Sequence, residues 1–225
     1  MDLKFIGIGG AFNPMYGCNS SYVKKNNKIL FLDYGMDTFS KTLEHKLLDN
    51  VEDIYVFISH LHGDHVGGLP TFIQYCSIVL KKKVKVIHNS DTFTNSLVKL
   101  LNITGISTSD YSIVDKNELN GFADLCLIPT THAENLECFS VILKDLEDKI
   151  FYSADTNDLK QFISIIKDRS FTKIYYEIGE NSPFHIDFKD VSAYKDDRLY
   201  LMHFPNQTLL DKVRCNGFKI PDFLR

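Results

Sequence analysis

The chain has 225 residues, 44% of them hydrophobic and 24% charged, with 12 glycines and 6 prolines. These proportions exclude a collagen-like, low-complexity or wholly disordered polypeptide, and the length is enough to bury a sizeable core. A net charge of -4 argues against a broad basic face for duplex nucleic acid.

Strands are predicted at 3–9, 20–25 and 28–33, with turn signals at Gly9-Gly10 and Asn26-Asn27. Residues 38–49 have helical period, with Phe39, Leu43 and Leu47 on one face. DIYVFIS (53–59) is a fully apolar strand, and 68–82 a helix with Pro70 in its first turn. A strand at 84–87 and a helix near 91–101 follow, then strands at 112–114, 124–130, 139–144 and 149–154. The remainder reads as a helix over 158–168, strands at 173–177 and 198–202, and a helix over 206–214. With no linker, repeat or shift of composition, a single α/β domain spanning 1–225 is expected.

Cys18, Cys76, Cys126, Cys138 and Cys215 are odd in number and contain no CxxC pair. They are expected to be small, buried, reduced core residues of a cytoplasmic protein. The opening MDLKFIGIGGAFNP lacks the signature of a signal peptide, and no apolar run approaches the roughly 20 residues that span a bilayer, so no membrane partner is expected.

The apolar strands end in a repeated way: Asp33, His60, His132, Asp155, Glu177 and His203 each stand at or just past the end of one. In layered α/β folds, ligands gather where strands reach their carboxyl ends. The densest segment is His60-Leu61-His62-Gly63-Asp64-His65, four potential metal ligands within six residues. His60 and His62 can face the same way in an extended turn, and Gly63 lets the chain bend so that Asp64 and His65 reach a second point. Imidazole and carboxylate suit zinc, and also manganese or iron. As a mere polar loop, the segment would crowd these groups with repulsion and desolvation uncompensated.

This HxHxDH run, followed by His132, Asp155 and His203, resembles the metallo-β-lactamase superfamily along essentially the whole chain. The resemblance implies a four-layer αββα sandwich with a site for two divalent metal ions, zinc first among them, at one edge. It implies that His60, His62 and His132 hold one ion, that Asp64, His65 and His203 hold the other, and that Asp155 bridges the two. Asp33 resembles the buttressing acid behind the HxHxDH loop. Two cations about 3.5–4 Å apart can clamp both the attacking and the leaving oxygen, with metal-bound hydroxide as nucleophile and Asp64 able to orient it.

The stretch Phe151-Tyr152-Ser153-Ala154-Asp155-Thr156 is similar to the YSGDT-type motif of the tRNase Z branch. Glu177 and His185 match the acid and the histidine that in this branch protonate a departing alkoxide. The alternative for His185 is a cap on a helix near 189–195. Other branches match less well: Thr130-Thr131-His132-Ala133-Glu134-Asn135 lacks the Pro-Gly-His-x-x-Gly of lactonases, and the bridging position is not cysteine. Between His132 and Asp155 there is room for one strand pair and none for the long arm of tRNA-processing enzymes. The chain therefore resembles armless cyclic-nucleotide phosphodiesterases of the anti-Pycsar type. The implied activity is a binuclear metal-dependent phosphodiesterase on a small phosphodiester, in a homodimer. The alternatives are an RNase Z-like ribonuclease acting on RNA, a metallo-hydrolase of a lactone or thioester, and a non-catalytic binding module.

Three weaker signals remain. Lys81-Lys82-Lys83-Val84-Lys85 reads as a solvated basic helix end. The glycine-rich loop from Gly9 to Gly17 can overhang the site and place Phe12 or Tyr16 against a base, or pack both in the core. His45 and His88 read as helix-surface and strand-end residues.

Overall fold

A computed structural model describes residue 1 and residues 3–119 and 122–224. In chain order the elements are β1 (Lys4–Gly7), β2 (Ser20–Lys25), β3 (Lys28–Leu32), α1 (Thr38–Glu44), β4 (Asp53–Phe57), α2 (Gly63–Val66), α3 (Leu69–Ile78), β5 (Val84–Ile87), α4 (Asp91–Ile103) and β6 (Tyr111–Val114). A 3₁₀ turn (Lys116–Leu119) leads to β7 (Asp124–Thr130), β8 (Cys138–Lys144), β9 (Lys149–Tyr152), α5 (Leu159–Lys167), β10 (Lys173–Glu177), α6 (Phe188–Val191), β11 (Leu199–Met202) and α7 (Gln207–Cys215).

The strands form two sheets, β1-β2-β3-β4-β5-β6 and β11-β10-β9-β8-β7. Each is part antiparallel and part parallel: β3 to β6 run parallel in the first, β9 to β11 in the second. The apolar runs of β3 and β4 arise because these strands are covered on both faces. The β2–β3 hairpin turns at Asn26, whose φ of 55° asparagine adopts more readily than most residues. Helices pack on the sheets, α3 against β5 and α5 against β10. Ser90, Asp158 and Asn206 cap α4, α5 and α7 by accepting from the N–H three residues on. The architecture is the αββα sandwich expected. The sheets are stitched along one seam, where Phe204 N–H donates to Ile8 O (2.8 Å) and Gly10 N–H to Phe204 O (3.0 Å).

Several expectations need correction. Cys126 and Cys215 are exposed, so only Cys18, Cys76 and Cys138 are core thiols. Helix α1 ends at Glu44 because Lys46 turns left-handed (φ 51°). Its buried face is Thr38 and Thr42 rather than Leu43, which is exposed. The Thr42 hydroxyl donates to Thr38 O and accepts from the Tyr34 hydroxyl, which satisfies a polar group in the core. The lysine run lies beyond α3 and is not simply solvated: Lys82 donates to Val51 O, and Lys85 Nζ lies 2.8 Å from Asp53 Oδ1. His88 pairs with Asp91 at 3.1 Å. Among the described residues no helix is long and apolar enough to cross a membrane.

Candidate metal centre

The carboxyl ends of β3, β4, β7, β9, β10 and β11 open onto one cleft of about 640 Å³. At three of these ends the chain leaves the strand through a left-handed residue: Asp33 (φ 61°), Ala154 (φ 53°) and His203 (φ 62°). Such a conformation costs about 1–3 kcal/mol at a residue other than glycine. Here it turns the backbone sharply enough to aim Asp33, Asp155 and His203 inward.

Two clusters form. In the first, His60 Nε2 and His132 Nε2 lie 3.0 and 3.2 Å from His62 Nδ1, and 3.8 and 3.7 Å from Asp155 Oδ2. In the second, Asp64 Oδ2 lies 3.3 Å from both His65 Nε2 and His203 Nε2. Asp155 reaches the same place, with Oδ1 3.2 Å from His65 Nε2 and Oδ2 3.3 Å from His203 Nε2. Each cluster offers four ligand atoms within 4.8 Å of one another, and Asp155 belongs to both. The expected extended turn is in part helical: Asp64 and His65 lie in the single turn α2, which brings both to the second cluster.

The surroundings orient the rings. The Asp33 carboxylate, wholly buried, accepts from Ser59 N–H (2.7 Å), the Ser59 hydroxyl (2.9 Å) and His65 Nδ1–H (2.8 Å). Ser59 Oγ in turn lies 3.0 Å from His60 Nδ1, and His132 Nδ1–H donates to Phe184 O (2.7 Å). With Nδ1 occupied, each of these rings turns its Nε2 toward the cleft, the atom a metal would take. Burial opposes the charged form of His65, but Asp155, Asp33 and Asp64 around it carry it well above the ordinary imidazole range. Burial, and then His65, push His60 well below the ordinary imidazole range; burial and His132 lower His62. Burial opposes ionisation of Asp64 and Asp155, but the surrounding imidazoles outweigh it and hold both carboxyls low. His65 Nε2 and Asp155 Oδ1 are buried without a hydrogen-bond partner. Unpaired polar atoms at the heart of a nitrogen and carboxylate donor set fit two divalent cations.

His185 lines the same cleft, with Glu177 buried behind it. Glu177 is fully buried; its Oε1 accepts from Thr156 N–H (3.0 Å) and Ile186 N–H (3.4 Å), and its Oε2 from His185 Nδ1–H (3.1 Å). Burial pulls His185 down, yet the charge and hydrogen bond of Glu177 carry it up to about 9. Asp187, not His185, caps α6, so the capping alternative falls. Two glycines are needed here: a Cβ on Gly10 would lie 3.2 Å from His203 Cε1, and one on Gly179 2.6 Å from His185 Cβ. Of the loop aromatics, Phe12 is 95% exposed and lines the cleft, whereas Tyr16 packs edge-on against Phe223 and bonds Gln207.

Sequence reasoning assigned no role to Ser59, to the Phe184 carbonyl or to the Tyr152 hydroxyl, which donates to Asp33 Oδ2 (3.2 Å). A main-chain carbonyl leaves no trace in residue type. Ser59 adjoins His60 and was open to notice.

The chain matches the family model described as anti-Pycsar protein Apyc1 over residues 1–219. It belongs to that family. An anti-Pycsar protein Apyc1 from Paenibacillus harenae is 25% identical over 221 residues, covering 91% of this chain and 90% of that protein. A ribonuclease Z from Methanococcus maripaludis is 31% identical over 114 residues, 50% of this chain and 36% of that one. The crystal structure of the metallo-β-lactamase fold protein YhfI from Bacillus subtilis shares the fold at a TM-score of 0.76 and 15% identity, over 95% of this chain and 90% of that one. The family member thus has the metallo-β-lactamase fold and shares sequence with a ribonuclease Z across half of its length.

Proposed function

We propose that this chain is a binuclear phosphodiesterase that hydrolyses a small phosphodiester such as a cyclic nucleotide. The observation that carries the reading is the sharing of one cleft by two ligand clusters, joined at Asp155, and the Glu177–His185 pair. His60, His62, His132 and Asp155 would hold one ion, and Asp64, His65, His203 and Asp155 the other. When bound, the two cations supply Lewis acidity toward the phosphate and activate water at neutral pH. Zinc is the first choice for so imidazole-rich a set.

The residues of the chain do the rest. Asp64 orients the nucleophile. His185, held protonated by Glu177, gives a proton to the departing sugar oxygen. Its side chain is 23% exposed, open enough to meet substrate, while Glu177 stays dry beneath it. Among the described residues, those lining the cleft include no lysine or arginine, and Phe12, Met36 and Phe184 expose apolar side chains at it. That lining suits a singly charged diester with a flat base rather than a long polyanion, which would need countercharge along its length. The reading includes a cytoplasmic homodimer, and the five unpaired cysteines fit a reducing compartment.

The test is hydrolysis of 2′,3′- and 3′,5′-cyclic nucleotides, single-stranded RNA, a lactone and a thioester by protein stripped with chelator and reloaded with Zn²⁺ or Mn²⁺. Metal-dependent turnover of a cyclic nucleotide, well above that of RNA, is the expected result. Turnover confined to RNA, lactone or thioester would move the activity to that substrate, and no phosphodiester turnover in fully loaded protein would overturn the proposal.

A further inference from the structure

The metal centre is drawn from both sheets. Asp33, His60, His62, Asp64 and His65 follow β3 and β4 of the first sheet, whereas His132, Asp155, Glu177 and His203 stand at strand ends of the second. Ligands from separate sheets must be kept in register to a fraction of an ångström if they are to close around an ion. Backbone bonds stitch the sheets nearby, including Phe139 N–H to Ser59 O (3.1 Å), but these end on main chain rather than on a group that orients a ligand.

Tyr152 is different. It is the last residue of β9, three residues before Asp155, and its ring is packed with that of Phe5 at 6.5 Å. Its hydroxyl crosses from the second sheet to the first and donates to Asp33 Oδ2 (3.2 Å), the oxygen that also receives His65 Nδ1–H (2.8 Å). Asn19 Nδ2 donates to the same hydroxyl (3.1 Å). An amide nitrogen can only donate, so the hydroxyl oxygen is the acceptor there, and its own hydrogen goes to the charged Asp33 Oδ2 at 3.2 Å in preference to Asn19 O at 3.5 Å. Asn19, Asp33, His65 and Tyr152 are all fully buried, so the chain Asn19–Tyr152–Asp33–His65 runs without solvent as a competitor.

We propose that Tyr152 is a positioning residue that locks Asp33, and through it the His65 ring, against the second sheet, and so sets the affinity of the ion site made by Asp64, His65, Asp155 and His203. The inference rests on the two-ion reading above. The other site is less exposed to the change. Asp33 reaches that site indirectly, through the Ser59 hydroxyl to His60 Nδ1, whereas His132 is held by Phe184 O. Partners that orient a ligand typically matter by 10–100-fold in metal affinity.

The test uses the full chain, stripped of metal and titrated with Zn²⁺ against a competing chelator, which resolves two successive binding constants. Tyr152→Phe removes one oxygen and keeps the ring. It is expected to weaken one ion by about 10–100-fold and to leave the other within about threefold. It should also restore kcat at saturating Zn²⁺ with the substrate KM unchanged. Tyr152→Phe leaves the Asn19 amide idle, which by itself destabilises the fold. The double variant Tyr152→Phe, Asn19→Leu removes both polar partners and recovers melting temperature. If Tyr152 positions a ligand, the double variant remains weakened at one ion even as its stability returns. Equal weakening of both ions, no weakening, or an affinity that recovers along with stability would overturn the proposal. A wild-type chain that binds fewer than two ions would overturn this inference together with the reading beneath it, whereas two ions in wild type and an unchanged Tyr152→Phe would overturn this inference alone.

Discussion

Replacing His185 with alanine should separate substrates by their leaving group. The variant removes a ring that contributes no atom to either of the clusters joined at Asp155, although it groups with Glu177 and His203 beside them, so the metal content of those two clusters should stay at the wild-type level. Glu177 should stay in place as well, because two backbone N–H groups hold its Oε1 independently of His185. What is lost is the proton. A sugar alkoxide leaves poorly without one, and loss of a general acid costs about 10²–10⁴ in rate, or about 3–5 kcal/mol in the barrier. A p-nitrophenolate spreads its charge over the ring and needs no proton. Turnover of a cyclic nucleotide should therefore fall by that full factor, while bis-p-nitrophenyl phosphate should lose less than about tenfold. Glu177→Gln adds a check on sign. Burial depresses His185 and the Glu177 charge raises it most, so removing that charge leaves burial opposed by the weaker pull of Asp155. The alkaline limb of the kcat profile should then move to lower pH, because the proton is lost sooner. The assay is steady-state kinetics on both substrates between pH 6 and 10 with metal content measured in parallel. Equal losses on the two substrates, or a limb that moves to higher pH, would refute the role of His185 as proton donor.

Three other outcomes are expected. Phe12→Ala should raise KM for a cyclic nucleotide by about 5–150-fold, the worth of one base stacked on an aromatic ring, with bis-p-nitrophenyl phosphate unaffected; competition binding with a nucleoside monophosphate provides a second measure. Gly179→Ala places a methyl group against the His185 Cβ, and should reduce kcat on cyclic nucleotides while both ions bind as before. Asp196→Asn removes the carboxylate that pairs with Arg198 at 2.8 Å, whose guanidinium also ties together Ile166 O, Asp168 O and Phe171 O beside β11. The hydrogen bond and charge of Arg198 hold Asp196 well below the usual carboxylate range. A depressed folded value stabilises above the unfolded value of about 3.9 and is lost as pH falls through the folded one. In chelated protein the variant should lose about 1–3 kcal/mol at pH 7 and show a flatter decline on acidification than wild type, by thermal unfolding at each pH.

Much of the strand and helix order was legible from residue pattern alone. β2, β5, β7 and β10 fall on their predicted residues, because β-branched and aromatic runs bounded by turn residues have few alternative fates. Helix ends were less legible. Residues 45–49 continue an apolar period that the backbone abandons at Lys46, a choice made by packing around Thr42 and Leu47 rather than by propensity. The exposed Cys126 shows the same limit: it lies on β7, an edge strand whose exposure depends on what covers it.

The histidines and acids of the site stand at strand ends in the sequence, because a buried strand can be apolar throughout and must deliver polar groups where it stops. That much needs no coordinates. Which atom of each ring faces inward is another matter. It depends on Asp33 behind His65, on Phe184 O behind His132 and on Tyr152 reaching across from the other sheet. Hydrogen bonds are short and directional, and their partners here are distant in sequence, so only the packing of the two sheets could decide them.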